Sequence, residues 1–496
     1  MHIDHLFQLD RDCKDSLQKQ IVEQISNAII DGHIPLDTAL PSCRLLAKQL
    51  NVSRNTTILA YERLRSDGYL LSKERSGYFV NKDILAHQID PKDQVCVTES
   101  TLNPDWESRF VFNSKAPRTP ERVLGWQKYK YPFISGQISF ELFPLNQWRE
   151  CCRDANNVEA VKKWSHDQFD IDDEHLIEQI HTRLLPRRGV KVDKDQILVT
   201  VGAQQALFML SHILLGNERW LGIENPGYHE IFSIASMTTD RIKPLEIDDY
   251  GLKINQQLND CDYIYVTPSH QSPSTVTMPL KNRRELLEQA VQSDFVLIED
   301  DTESELNFKT SPHPALKSLD VNDRVIYVGS MSKTIAPGLR MGYIVAAKPL
   351  IHQLRALRRL MVRHLPTNNQ HAMALFLARG YHDSLLRRVH TTYQERSEIA
   401  LSALKKYLPE FKVAPTCGGS SFWLEGPVDL DSRALASLAC ERGVYLQPGG
   451  GYFIDTQNIK QNYIKLGFSA IDKDLIEPGL KIVAQCLHEL KQGKKA

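Results

Sequence analysis

Four apolar runs recur in the larger, C-terminal part of the chain: QILVTVG (196–202), YIYVTP (263–268), FVLIED (295–300) and RVIYVG (324–329). Stretches of helical pattern separate them. Strands that alternate with helices in this way are buried on both faces, so the pattern predicts an α/β domain with a mostly parallel central sheet. Ligands of such sheets sit at the carboxyl ends of the strands. Several runs end on residues with chemistry of their own, among them Gly202 and Asp300.

At 496 residues the chain is too long for that domain alone, and its first part carries a different pattern. Leu17, Ile21, Ile25, Ala28 and Ile29 recur at helical spacing, and Gly32 closes that helix. Pro41–Ser42 caps a second helix with Leu45, Leu46 and Leu50 as its apolar residues, and Asn51–Val52 forms the turn. Ser53 is a good N-cap for a third helix, from Arg54 to about Asp67, ended by Gly68. Tyr69–Leu71 and Tyr78–Val80 alternate as short strands around Lys73–Gly77. Three helices and a two-stranded wing predict an α+β winged helix-turn-helix.

Charge supports a nucleic-acid partner for this part. The whole chain is balanced, with 60 basic and 61 acidic residues. Residues 1–40 are nevertheless net −4 and residues 41–80 net +4. A small domain with such an asymmetry turns one face toward phosphates.

Across about residues 12–80 the segment resembles the DNA-binding domain of the GntR family. The PSxR turn (41–44), the VSRNT start of the third helix (52–56), the YERL run (61–64) and the G-Y-L wing (68–70) carry the likeness. It implies double-stranded operator DNA as partner. Ser53, Arg54, Asn55 and Thr56 would enter the major groove at the first turn of the recognition helix. Arg54 is the candidate for a guanine edge, since a guanidinium can bond O6 and N7 together. Arg44, with Ser42 and Thr56, would grip phosphate, and the wing tip Arg75–Gly77 would reach the minor groove. The expected domains are the reader at 12–81, a linker at 82–125 without sustained period and broken by Pro104, Pro117 and Pro120, and an effector and dimerisation domain at 126–496.

The segment VIYVGSMSKTIAPGLRMGYIVA (325–346) resembles the lysine loop of fold-type I aminotransferases. With the reader attached, nearly the whole chain is similar to the MocR subfamily of GntR regulators. That resemblance implies pyridoxal 5′-phosphate (PLP) as cofactor. Lys333 matches the lysine that forms the Schiff base, flanked by Ser330 and Ser332. Arg340 matches the arginine that binds the cofactor phosphate as a bidentate partner. Asp300, 33 residues before Lys333, matches the carboxylate that pairs with the pyridine nitrogen, with Asp301 as its structural neighbour. Gly202, Ala203 and Gln204 would cradle the phosphate at a helix N-terminus. Tyr228 matches the residue stacked on the ring; His270 adjoins the cofactor in the family and is equally readable as a packing residue.

Departures from the family concern substrate handling. Thr302 stands where a tyrosine usually contacts the cofactor's phenolic oxygen. Ser272–Pro273–Ser274–Thr275 replaces the Asn-Pro-Thr-Gly run. Lys465 replaces the arginine that grips a substrate carboxylate, and a point charge is a poor substitute for a planar fork. Glu230 stands where some relatives carry another arginine, and it would face an effector's amine; residues 164–175, WSHDQFDIDDEH, replace a GYGDP-like segment. Arg355, Arg358, Arg359 and Arg363 lie on one helix-like stretch, readable as a solvated or dimer-facing helix or as an auxiliary DNA contact.

The leading expectation is a PLP-binding transcriptional regulator, not an enzyme, that senses an amine, an amino acid or PLP itself. Alternatives are an active aminotransferase with a DNA-binding appendage and a PLP-independent dimeric repressor. Family resemblance implies a homodimer with each reader over the partner's sensor domain. Nine cysteines without a CxxC pair read as reduced thiols and no metal site. No run of 18 apolar residues and no signal core occur, so the expectation is a cytoplasmic protein without a membrane segment.

Overall fold

The computed structural model describes residues 7–74, 76–85, 104–110, 125–309, 313–454 and 459–493. The chain divides into two units, Met1–Arg109 and Phe110–Ala496.

In the first unit, α1 (Leu17–Ile30), α2 (Cys43–Gln49) and α3 (Arg54–Ser66) precede an antiparallel pair, β1 (Leu70–Lys73) and β2 (Gly77–Val80). Each helix starts on a serine whose side chain accepts from the backbone: Ser16 from Lys19, Ser42 from Leu45 and Ser53 from Thr56. The predicted stripe of α1 is the buried one: Ile21, Ile25, Ala28 and Ile29 meet Leu46, Ala60, Tyr61 and Leu64 of α2 and α3. Two polar contacts set the α2–α3 turn. Thr57 Oγ1 donates to the Cys43 carbonyl at 2.9 Å, and the Tyr61 hydroxyl to the Pro41 carbonyl at 3.0 Å. The expected linker lies mostly outside the described residues; its described parts are a 3-10 turn at Lys82–Leu85 and a helical turn at Trp106–Arg109.

The second unit is built on an eight-stranded sheet. Its order is Ile197–Thr200, Gly342–Val345, Val325–Ser330, Val296–Asp300, Tyr263–Val266, Leu221–Asn225, Ile242–Asp248 and Gly251–Leu252. The strands from Val325–Ser330 to Ile242–Asp248 pair in parallel. Alternate residues face opposite layers. Ile298, Val328 and Ile344 pack with Leu207 and Leu210 of helix Gly202–Leu214 and Leu354 of helix Lys348–Val362. Leu297 and Ile264 pack with Leu286 and Ala290 of helix Leu280–Gln292.

Gly342–Val345 runs antiparallel between Val325–Ser330 and Ile197–Thr200. The connection 331–341 is shorter than a crossover needs, so the chain turns back as a hairpin with Ser330 opposite Gly342. Lys333 and Arg340 both belong to that hairpin loop. A smaller antiparallel sheet carries Lys465 on strand Tyr463–Gly467, opposite Trp423 and Gln447.

Two of the arginines on helix Lys348–Val362 correct the sequence reading. Arg358 is fully buried, where it pairs with Asp172 and donates to the Val199 carbonyl at 2.8 Å. Arg355 also reaches Asp172, at 3.3 Å. Arg358 is therefore not a solvated residue, and Arg355 keeps only 26 % of its side chain exposed. Their anionic partner comes from the 164–175 segment, which this salt bridge ties to the sheet. Among the described residues no helix is long and apolar enough to cross a membrane.

Candidate cofactor site and DNA-reading face

A cavity of about 410 Å³ opens at the carboxyl ends of the parallel strands. Lys333, Asp300, Arg340, Tyr228, Ala203, Gln204, Ser330, Ser332 and His270 all line it, as do Lys465 and Glu230. Gly202 lies directly behind: a Cβ there would stand 3.0 Å from Arg340 Nη2. Residues spread from 202 to 465 thus converge: strand ends and the hairpin loop of the large sheet supply most of them, and the smaller sheet supplies Lys465.

Arg340 Nη2 donates to the Val201 carbonyl at 3.3 Å, so the guanidinium rests on the N-terminus of helix Gly202–Leu214. Free N–H groups, the helix dipole and a planar cation meet there, which is the donor set a phosphate dianion requires. The Tyr228 hydroxyl donates to Gln204 Oε1 at 3.2 Å, which ties the aromatic residue to the same helix turn.

Asp300 is buried and accepts from the Tyr265 hydroxyl at 2.7 Å and from the Thr302 backbone N–H at 3.1 Å. Burial pushes its carboxyl above the ordinary carboxylate value, against both hydrogen bonds. A protonated ring nitrogen beside it would supply a cationic partner, whereas its own hydrogen-bond donors, Tyr265 and Thr302, are uncharged. Asp301 turns away into a buried pair with Arg188 at 2.7 Å, with Tyr327 donating to the same carboxylate at 2.9 Å. The sequence assigned it a structural part, and its contacts are of that kind.

His270 is 8 % exposed, and neither ring nitrogen has a hydrogen-bond partner. Burial pulls its pKa down, in the direction of the neutral ring. Lys465 Nζ lies 5.2 Å from the centre of the Tyr452 ring. Thr302 places no phenol in the cavity; the phenol near Asp300 is Tyr265, from the neighbouring strand.

Three residues escaped the sequence reading. Tyr265 lay inside an apolar run and read as core. Glu224 accepts from the Thr267 N–H and the Gln271 side chain, both at 3.2 Å, and burial pushes its pKa to about 7. Glu303 Oε1 accepts from Lys333 Nζ at 3.2 Å. An acid three residues beyond Asp300 was the signal, but only the loop's fold directs it at the lysine.

On the reader, Ser42, Arg44, Ser53, Arg54, Asn55 and Gly77 are exposed and Thr56 is half-buried. Ser42 and Ser53 accept helix N–H groups, and the Ser53 and Thr56 hydroxyls share a hydrogen bond at 2.7 Å. Gly77 holds φ +98°, which suits a glycine at the wing turn. Arg75 lies outside the described residues.

Comparison with known proteins agrees with both units. Residues 17–80 match the family model of bacterial regulatory proteins of the gntR family, and residues 135–481 that of aminotransferase class I and II. The chain is 35% identical over 472 residues to the HTH-type transcriptional regulator TauR of Rhodobacter capsulatus, covering 95% of this chain and 96% of that protein. It is 28% identical to the probable rhizopine catabolism regulatory protein MocR of Rhizobium meliloti, covering 95% and 94%. Among solved structures, kynurenine aminotransferase of Pyrococcus horikoshii, in complex with PMP, superposes with a TM-score of 0.69 at 25% identity, covering 78% of this chain and 98% of that one. The chain therefore belongs to the MocR-type regulators of the GntR family, which join a GntR DNA reader to a PLP-binding domain of the class I and II aminotransferases.

Proposed function

We propose that this chain is a cytoplasmic, homodimeric regulator whose aminotransferase-like domain senses a small amine or amino acid and does not turn it over. PLP supplies an aldehyde that condenses with amines and a ring that draws electrons from the bond formed. The protein's own residues would hold it: Arg340 and the first turn of helix Gly202–Leu214 the phosphate, Asp300 the ring nitrogen, Tyr228 the ring face. Lys333 would be the amine that occupies the aldehyde until another amine replaces it.

The observation that carries this reading is the split within one cavity. The anchoring set, Lys333, Asp300 and Arg340, is complete, and it counts against a PLP-independent repressor. The set that would orient a substrate is altered. Lys465 lies against Tyr452 and offers no fork to a carboxylate, and Thr302 offers no phenol. Turnover needs the Cα–H bond held perpendicular to the ring, and that orientation is what these groups provide in transaminases. Exchange of amines at Lys333 alone changes charge and packing in the cavity. A change of that kind can bias a dimer between two DNA-binding arrangements.

Absorption spectra of the purified, PLP-loaded protein with a panel of amines and amino acids test the reading, with keto-acid product followed in the presence of 2-oxoglutarate or pyruvate. Spectral change without product is the expected result. Turnover at or above about 1 s⁻¹, the lower end of ordinary enzyme rates, overturns the non-enzyme assignment. Absence of bound PLP overturns the sensor.

A further inference from the structure

Three acids stand close together where strand Val296–Asp300 runs into the cavity, and their partners differ. Asp300 is engaged by Tyr265 and Thr302, and Asp301 by Arg188, Ser269 and Tyr327. Glu303 is the one that meets Lys333, at 3.2 Å, with its side chain only 18 % exposed. Ser420 Oγ reaches the same carboxylate oxygen at 3.5 Å. Gly136 closes the other side of the lysine: a Cβ there would stand 2.7 Å from Lys333 Nζ. The amine is thus lodged between a carboxylate and bare backbone. Burial pushes the Glu303 carboxyl up, but the positive charges of Lys333 and Lys465 more than offset this and hold it below the ordinary carboxylate value. Lys465, His270, His229, Asp300, Asp301, Glu230, Arg340 and the phenols of Tyr228, Tyr265, Tyr445 and Tyr452 are the other charged or titratable groups that line the cavity.

We propose that Glu303 is a positioning residue for Lys333: it receives the lysine as an ammonium whenever another amine displaces it from the cofactor, and favours the protonated lysine–cofactor imine while the lysine is attached. The inference rests on the PLP-sensor reading above. In the exchange the incoming ammonium would give up two protons as its nitrogen bonds to the carbon of the protonated imine. The bond from that carbon to Lys333 would break, and the lysine nitrogen would take up two protons and leave as an ammonium. No net proton or electron is gained. The Lys333 side chain is 38 % exposed, and Glu303 is the carboxylate already placed to pair with the charge released there.

The test uses the full-length protein loaded with PLP, titrated with acid and base while the visible absorption of the cofactor is followed. Removing the anion disfavours the protonated imine. Glu303→Gln should therefore lower the titration midpoint by about one pH unit or more, the shift an adjacent opposite charge commands. Methylamine, used as the probe amine at a pH above the midpoint, where the lysine imine is neutral and only the freed ammonium gains from the anion, should need about tenfold more concentration for half-displacement of Lys333 in this variant. A parent-like midpoint or parent-like displacement overturns the proposal. Should Glu303→Gln take up no cofactor, Glu303→Asp decides, since it keeps the charge. A midpoint within about half a unit of the parent then supports the proposal; a fall of about a full unit, or failure to load, overturns it. A parent protein without any visible band would be a different result and would remove the cofactor assignment itself.

Discussion

Arg340 lays its guanidinium across Gly202 so closely that a Cβ on the glycine would stand 3.0 Å from Nη2. Gly202 also holds φ +72°, where a side chain is strained. Two independent requirements therefore fall on one glycine, at the point where the helix N-terminus and the arginine meet.

Gly202→Val should push the guanidinium away from that helix turn and leave the fold standing. PLP affinity should fall by about tenfold or more, ~1.4 kcal/mol. Cofactor titration followed by absorbance measures it, with circular dichroism as the check on folding. Parent-like affinity would show that the close approach does not matter for binding.

Arg54 and Arg44 are both exposed on the reader but at different places, the start of α3 and the first turn of α2. If Arg54 reads a base, Arg54→Ala should cost about 1–3 kcal/mol and relax preference at one operator position. Arg44→Ala should weaken binding to all sequences and reduce the salt slope by about one phosphate. Binding isotherms at several salt concentrations, on a selected operator and a scrambled one, separate the two. Variants that both bind like the parent would place the reading face elsewhere.

Arg358 and Asp172 form a fully buried pair, and removing Arg358 leaves Asp172 with the longer contact to Arg355, at 3.3 Å, as its charge partner. Arg358→Met should destabilise the second unit by about 3–5 kcal/mol in chemical denaturation. The double change Arg358→Met with Asp172→Leu should recover part of that loss, because the buried carboxylate goes with its arginine and only the partly exposed Arg355 loses a partner. A loss below about 1 kcal/mol in the single variant would place this pair among the dispensable ones.

Glu224 gives the cofactor-free protein a pH dependence of defined sign. Its carboxyl is raised from 4.5 to about 7 by burial, so the folded state holds a proton that the unfolded state releases. The contribution to stability is full below the unfolded value and is lost as pH rises through about 7. The amount is on the order of 3 kcal/mol. Glu224→Gln should flatten the stability profile between about pH 5 and 8, measured by denaturant unfolding. An unchanged slope would assign the dependence to other groups.

Local rules made the reader legible. Ser42 and Ser53 cap helices because a hydroxyl beside a helix start satisfies orphan N–H groups, and no distant contact is needed to know it. The strands of the large sheet were legible for a similar reason, since each is an apolar run bounded by polar residues. Lys333, Asp300 and Arg340 were found through resemblance to a motif, and their types and spacing already named their chemistry. Tertiary structure decided which side chains face one another. Arg355 and Arg358 looked like surface charge until residues 164–175, far away in sequence, put Asp172 beside them. Tyr265 looked like core, yet its hydroxyl ends on Asp300 of the next strand. Glu303 was one acid among several until the hairpin that carries Lys333 folded against it. Helix caps and strand patterns depend on residues a few positions apart, whereas a buried charge finds its partner through strand order and register, which no short window of sequence contains.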